Sequence, residues 1–157
     1  MRVIEFSHMV MGPSAGVILA DLGADVVKVE PLGGDRTREL LGSGAGYFPM
    51  FNRNKRSIAI DLKSAAGVET AVRLVNEADV LIENFRPDAL EKLGLGPARF
   101  KTSNPGLIYY SAKGFLAGPY EKRTALDGWA AHIMDLIQPP PVASDGNIVP
   151  MRSRKRA

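Results

Sequence analysis

The chain alternates between short apolar runs and amphipathic stretches. Val3 to Phe6 is apolar and β-branched enough to predict a strand, followed by a loop that ends at Gly12-Pro13. Proline suits the first turn of a helix, where its missing N–H costs nothing. From there Ala15, Ile18, Leu19 and Leu22 recur at helical spacing as the expected apolar face, and Gly23 stands where a C-terminal cap belongs. Val26, Val27 and Val29 then predict a buried strand ending at Glu30-Pro31. Leu32 to Lys55 breaks the pattern, and loops of that length in compact domains are usually functional or disordered. The pattern resumes with a strand over Ser57 to Leu62, a helix marked by Val68, Ala71, Val72 and Val75, and a strand over Asp79 to Asn84. Short helices over Pro87 to Leu93 and Pro97 to Ser103 precede a fifth strand, Leu107 to Ser111. Alternating strand and helix predict an α/β domain with a mostly parallel sheet.

A length of 157 residues bounds this to one domain or a piece of a larger one. Cysteine is absent, which excludes disulfides and thiolate zinc, and no metal site is expected. No apolar run approaches the roughly 18 residues of a membrane span, and Met1 to Glu5 reads as a strand instead of a signal peptide, so a cytoplasmic protein without a membrane partner is expected. The net charge of +3 hints at nucleic acid until its location is considered. Arg152, Arg154, Lys155 and Arg156 are four of the 20 basic residues, which leaves 16 against 17 acidic ones in the body. A solvated terminus accounts for the excess, no aromatic residues alternate with the basic ones, and no nucleic-acid partner is expected.

The strand, helix, strand unit at the start raises the question of a nucleotide. A dinucleotide site requires G-x-G-x-x-G at the first turn and an acidic residue near the end of the second strand. Glu30 stands 18 residues after Gly12, close to the expected offset, but Gly12 and Gly16 have no glycine between them. Glu30 is therefore either a ribose-binding acid or a strand-end residue paired with Lys28 or Arg36. An NAD(P)-dependent oxidoreductase stays open as an alternative, disfavoured by the missing glycine.

Six segments decide between these readings: MGPSAGVILADLGADVVKVEP, GGDRTR, FNRNKRSIAIDLK, VLIENFRPDALEKLGLG, NPGLIYYSAKGF and AGPYEKRTALD. In order and spacing they resemble the amino-terminal part of the family III CoA-transferases, the family of formyl-CoA transferase and carnitine CoA-transferase that also holds the α-methylacyl-CoA racemases. The resemblance covers Met1 to about Asp127. It implies a Rossmann-like domain, incomplete relative to the family, whose nucleotide is the ADP portion of coenzyme A. It also implies a CoA-transferase that takes acyl-CoA and a small carboxylic acid as substrates, holds no permanent cofactor and is a homodimer at full length. In similar enzymes an aspartate attacks the thioester to give a mixed anhydride, and the CoA thiolate then gives an aspartyl-CoA thioester. A carboxylate suits this step, being both nucleophile and leaving group.

The resemblance and the strand ends together nominate CoA-binding residues. Arg36 and Arg38 follow the second strand at the carboxyl edge of the sheet, where ligands of open α/β folds bind; as phosphate ligands or as solvated surface arginines both are accommodated by the sequence. Similar enzymes carry a basic residue directly after the strand-end Glu, and Pro31 stands there here. Lys63 lies after the third strand and is better placed for a ligand than Arg53, Lys55 and Arg56, which are expected to organise the loop or a subunit contact. Asn84, Phe85 and Arg86 follow the fourth strand, and in similar enzymes this segment lines the CoA pocket; Phe85 as plain core is the rival. His8 is a candidate hydrogen-bond donor to a thioester or carboxylate, or a structural histidine. Met9, Met11 and Met50 read as adaptable packing.

Asp127 is expected to contact CoA or support the site, since the nucleophilic aspartate of similar enzymes lies a few tens of residues further on. Leu126 replaces the histidine base of the racemases, so half of a proton-transfer pair is missing. Beyond Asp127 the pattern changes to GWAAHIMDLIQPPPVASDGNIVPMRSRKRA, with Asp135 and Asp145 as its only acids and neither in the expected setting. Residues 1–127 are thus read as the CoA-binding portion and 128–157 as a divergent, irregular tail of a truncated or frame-shifted product. The catalytic nucleophile is unassigned, and a non-catalytic CoA-binding or dimerisation fragment is the remaining alternative.

Overall fold

The computed structural model of the chain describes residues 1–113. Five strands, β1 (Arg2–Phe6), β2 (Asp25–Glu30), β3 (Arg56–Ala59), β4 (Val80–Glu83) and β5 (Ile108–Ser111), form one sheet in the order β3-β2-β1-β4-β5. Every neighbouring pair is parallel. Five helices connect them: α1 (Met11–Asp21), α2 (Tyr47–Asn52), α3 (Ala65–Asn76), α4 (Ala89–Lys92) and α5 (Pro97–Ser103). The expected α/β class holds. The boundary placed at Asp127, the tail 128–157 and the acids Asp127, Asp135 and Asp145 lie outside the described residues.

Parallel strands need helical crossovers, so both sheet faces are covered and the central strands are buried along their length. Ile4, Phe6, Val27, Val29 and Leu81 pack on one face against Ala71, Val72 and Val75 of α3, Leu90 of α4 and Phe100 of α5. Val3, Val26, Val80 and Ile82 point to the other, where Ala20 of α1 meets them. Ser64 caps α3 by accepting a hydrogen bond from Gly67 N at 3.1 Å. Gly23, at φ 92°, ends α1, with Gly23 N bonded to Ala20 O and Ala24 N to Leu19 O, both at 3.0 Å.

Three expectations are corrected. In α1 the face turned to the sheet is Gly12, Pro13, Gly16, Val17 and Ala20, with Ala15 and Leu19 half-buried, whereas Ile18 and Leu22 are exposed. A stripe of small residues lets the helix approach the sheet closely, and that closeness outweighs the bulk of Ile18 and Leu22. The stretch from Leu32 to Lys55 is not one irregular loop: it holds single 3₁₀ turns at Arg36–Glu39 and Gly42–Gly44 and the helix α2. Finally, β3 stops at Ala59, because Asp61 already turns the chain, accepting hydrogen bonds at its carbonyl from Ser64 N and at its side chain from Lys63 N.

The strand order reverses between β1 and β4, so the loops after these strands diverge and leave a crevice at the carboxyl edge.

Candidate ligand-binding cleft

Beneath that edge lies a group of buried charges. Glu5 of β1 and Lys28 of β2 are register partners, 0% and 1% exposed. Glu5 Oε1 accepts from Ser7 Oγ at 2.6 Å and Lys28 Nζ at 3.4 Å, while Oε2 accepts from Lys55 Nζ at 2.7 Å. Lys28 also donates to Ser7 O at 2.7 Å and lies 3.0 Å from Asp35 Oδ2, which accepts no directed hydrogen bond. Lys55 donates in addition to Pro13 O at 2.8 Å, tying the start of β3 to the first turn of α1. Two ammonium groups and two carboxylates balance, which is the condition for keeping such charges out of water. Burial pulls Lys55 below its ordinary 10.5, with Glu5 opposing.

The loop after β2 is fixed by carboxylates. Glu30 Oε1 accepts from Arg38 Nη2 and Ser57 Oγ, each at 2.8 Å, and Oε2 from Arg38 Nε at 3.1 Å and Asp35 N at 2.8 Å. Burial by itself raises the Glu30 carboxyl, but these four donors outweigh it and hold it below 4.5. Asp35 Oδ1 accepts from Thr37 N at 2.9 Å and Thr37 Oγ1 at 2.7 Å. Here too burial raises the carboxyl, and Thr37 with Lys28 outweighs it, so Asp35 sits below 3.8. Glu30 is thus a strand-end residue whose partner is Arg38, not Lys28 or Arg36, and both its oxygens are taken, which leaves none for a ribose.

Above these carboxylates run two adjoining hollows of about 320 Å³ and about 580 Å³ that share Val29, Glu30, Pro31 and Phe85. The smaller is walled by His8, Met9 and Leu40, with Arg36 at its side. The larger lies over Leu62, Lys63 and Leu93. Together they form a mainly apolar groove along the carboxyl ends of β1, β2 and β4, with one cation in each half. No described carboxylate pairs with Arg36 or Lys63.

The nominated residues separate into two groups. Arg36, Lys63, Phe85 and His8 line the groove. Arg38 clasps Glu30 and lies 3.7 Å over the Phe48 ring, so its guanidinium is engaged on two sides. Asn84 exchanges two hydrogen bonds with the backbone of His8, accepting from His8 N at 3.0 Å and donating to His8 O at 2.8 Å. Arg86 is exposed just beyond Phe85, outside both hollows. Lys55 is internal, and Arg53 and Arg56 pair with Asp21 and Asp25, so all three organise the chain itself. The His8 and Phe85 rings lie 5.5 Å apart. Behind Phe85, the Glu83 carboxylate accepts from Phe85 N at 2.9 Å, while Lys113 Nζ donates to Glu83 and to Phe85 O, the latter at 2.7 Å.

Met9, Leu40 and Leu93 also line the groove, and the apolar pattern marks none of them as site residues. The D-x-T spacing of Asp35 and Thr37 is a visible Asx-turn signature that would have located the turn. No group of three or more His, Asp or Glu among the described residues is placed to hold a metal ion.

Residues 1–138 match the profile of CoA-transferase family III. The chain belongs to this family. Family III relatives include the formyl-CoA:oxalate CoA-transferase of Streptomyces coelicolor, 45% identical over 124 residues, a match covering 76% of this chain and 30% of that protein. The succinate–glutarate CoA-transferase of Agrobacterium fabrum is 47% identical over 132 residues, covering 76% of this chain and 33% of the relative. The crystal structure of a CAIB/BAIF family protein from Brucella suis superposes with a TM-score of 0.75 at 38% identity, covering 100% of this chain and 42% of that one. The chain therefore spans about a third of the length of these curated relatives. The expected membership in family III and the α/β fold are both borne out. No helix among the described residues is long and apolar enough to cross a membrane.

Proposed function

We propose that the groove holds the coenzyme A portion of an acyl-CoA, in an enzyme that passes CoA from that thioester to a small carboxylic acid. The observation that carries this reading is the combination of an apolar groove at the strand-order reversal with Arg36 and Lys63, one in each half and neither paired with a described carboxylate. CoA joins phosphates to an apolar, hydrogen-bonding arm, so it matches cations set along a largely apolar wall. Phe85, common to both hollows, is the wall against which the ligand packs, and Asn84 and Arg86 flank it. His8 faces the smaller hollow as a hydrogen-bond donor to a thioester or carboxylate. Arg38 contributes by fixing Glu30 and the turn that carries Arg36.

The transfer proceeds in this reading through an aspartyl-CoA thioester. The carboxylate of an aspartate attacks the thioester carbonyl and releases CoA thiolate; the thiolate attacks the aspartyl carbonyl of the resulting anhydride and frees the donor acid. The acceptor carboxylate then repeats the exchange in reverse and leaves with CoA. The full-length form is a cytoplasmic homodimer in this proposal. The sequence of residues 128–157 offers only Asp135 and Asp145 as acids, neither in the setting the resemblance implies for the nucleophile, so the chain by itself is expected to bind CoA without transferring it.

Calorimetric titration of the chain with CoA tests this. Binding is expected, with Lys63→Ala and Arg36→Ala each weakening it about tenfold, as for a lost charge-assisted hydrogen bond. No binding by the wild-type chain, or unchanged affinity in both variants, overturns the proposal.

A further inference from the structure

We infer that Thr37 is a positioning residue for the groove: its hydroxyl holds the turn at Met9, and so sets what His8 and Met9 present to a ligand. The turn needs holding. Met9 has φ 63°, a left-handed conformation that is unfavourable for a residue with a side chain and persists only where its surroundings fix it.

Three successive residues are pinned from three directions. His8 is held through both backbone groups by Asn84, and the carbonyl of Val10 by Ser14 N at 2.8 Å and Ser14 Oγ at 2.7 Å. Between them Met9 N donates to Thr37 Oγ1 at 3.1 Å, across 28 positions of sequence. That hydroxyl has one proton, which it gives to Asp35 Oδ1 at 2.7 Å. A carboxylate only accepts, so the proton cannot point elsewhere and a lone pair of Oγ1 is left facing the Met9 amide. Lys28, 3.0 Å from the other Asp35 oxygen, anchors the carboxylate from within the sheet. Thr37 is 2% exposed, so no water takes over its part, while Met9 at 41% and His8 are open to the groove. A cap for the 3₁₀ turn would require only the bond from Thr37 N to Asp35; the bond from Oγ1 to Met9 is what joins the two loops.

Amide hydrogen exchange of the full chain by NMR separates the two roles. In the wild type the Met9 amide, though in an exposed turn, is expected to exchange slowly. In Thr37→Val it exchanges about tenfold faster, Thr37→Ser restores protection, and Arg38 N, bonded to Asp35 O within the 3₁₀ turn, is unchanged. An unprotected Met9 amide in the wild type overturns the inference whether or not the variants fold; so does a Val variant in which Met9 is unaffected, or a Ser variant that fails to rescue it. The consequence for the ligand rests on the CoA reading: Thr37→Val is expected to bind CoA about fivefold more weakly, the cost of ordering a loosened segment, with Ser again restoring it. If the wild-type chain binds no CoA, that reading falls, while Met9 exchange still decides the role of Thr37.

Discussion

Glu5 accepts hydrogen bonds from two lysines that are themselves almost wholly enclosed, and that arrangement makes Lys55 a residue with a large expected effect. Lys55→Met leaves one Glu5 oxygen without its 2.7 Å partner and removes the second contact of the ammonium, to Pro13 O. Breaking a buried pair from one side costs about 3 kcal/mol, which a reduced urea midpoint would report. Arg56→Ala is the contrast: its pair with Asp25 has side chains 67% and 42% exposed, and the midpoint is expected to stay put. Glu5 and Lys28 stand out in the sequence as charges inside otherwise apolar runs, but their pairing does not. Lys28 faces Glu5 across the ladder, closer than Glu30 two positions along its own strand. Arg36 and Arg38 were equally indistinguishable before folding. A 3₁₀ turn has three residues per revolution, so positions two apart point in different directions, and one arginine reaches Glu30 while the other lines the groove.

At the scale of elements, α1 shows what periodicity reveals and what it conceals. The spacing marks a helix, Gly23 marks its end, and both are where the structure has them. Bulk does not tell which face turns inward; the informative pattern is Gly12, Gly16 and Ala20 at intervals of four, the stripe that permits close approach. Its tightness gives a prediction of opposite sign to helix propensity. Gly→Ala in a helix ordinarily gains about 1 kcal/mol. At Gly16, however, a Cβ would fall 1.7 Å from Glu5 Oε2 and 2.9 Å from Lys55 Nζ. Glu5 is enclosed and cannot swing away, so Gly16→Ala is expected to destabilise the chain by about 3 kcal/mol, as overpacking does. Leu22→Lys, just past the last turn of the same helix at 79% exposure, is expected to stay within about 0.5 kcal/mol. Equal urea midpoints for Gly16→Ala and Leu22→Lys would mean that α1 does not sit on the charge cluster.

For the molecule as a whole, strand order was the part of the fold least visible beforehand. Alternation predicted parallel strands, but β1 at the reversal point, and hence one groove joining the ends of β1, β2 and β4, follows from crossovers that no local pattern encodes. The groove in turn rests on carboxylates that must be ionised, which links the state of the whole chain to acid. Glu30 and Asp35 both titrate below their ordinary 4.5 and 3.8 in the folded state, where hydrogen bonds and cations outweigh burial. The unfolded chain therefore takes up protons first as pH falls. The stabilisation from these groups is complete above the ordinary values and is lost progressively as pH drops through them toward the folded ones. Urea midpoints are accordingly expected to be level from neutral pH down to the ordinary carboxylate range and then to fall. Glu30→Gln and Asp35→Asn lower the plateau, because Arg38 loses its charged partner and Lys28 one of its two, and each makes the acid limb shallower, because one titrating group is gone. An acid limb of wild-type steepness in the combined variant would place the acid sensitivity elsewhere in the chain, and with it the electrostatic anchor of the loop that carries Arg36.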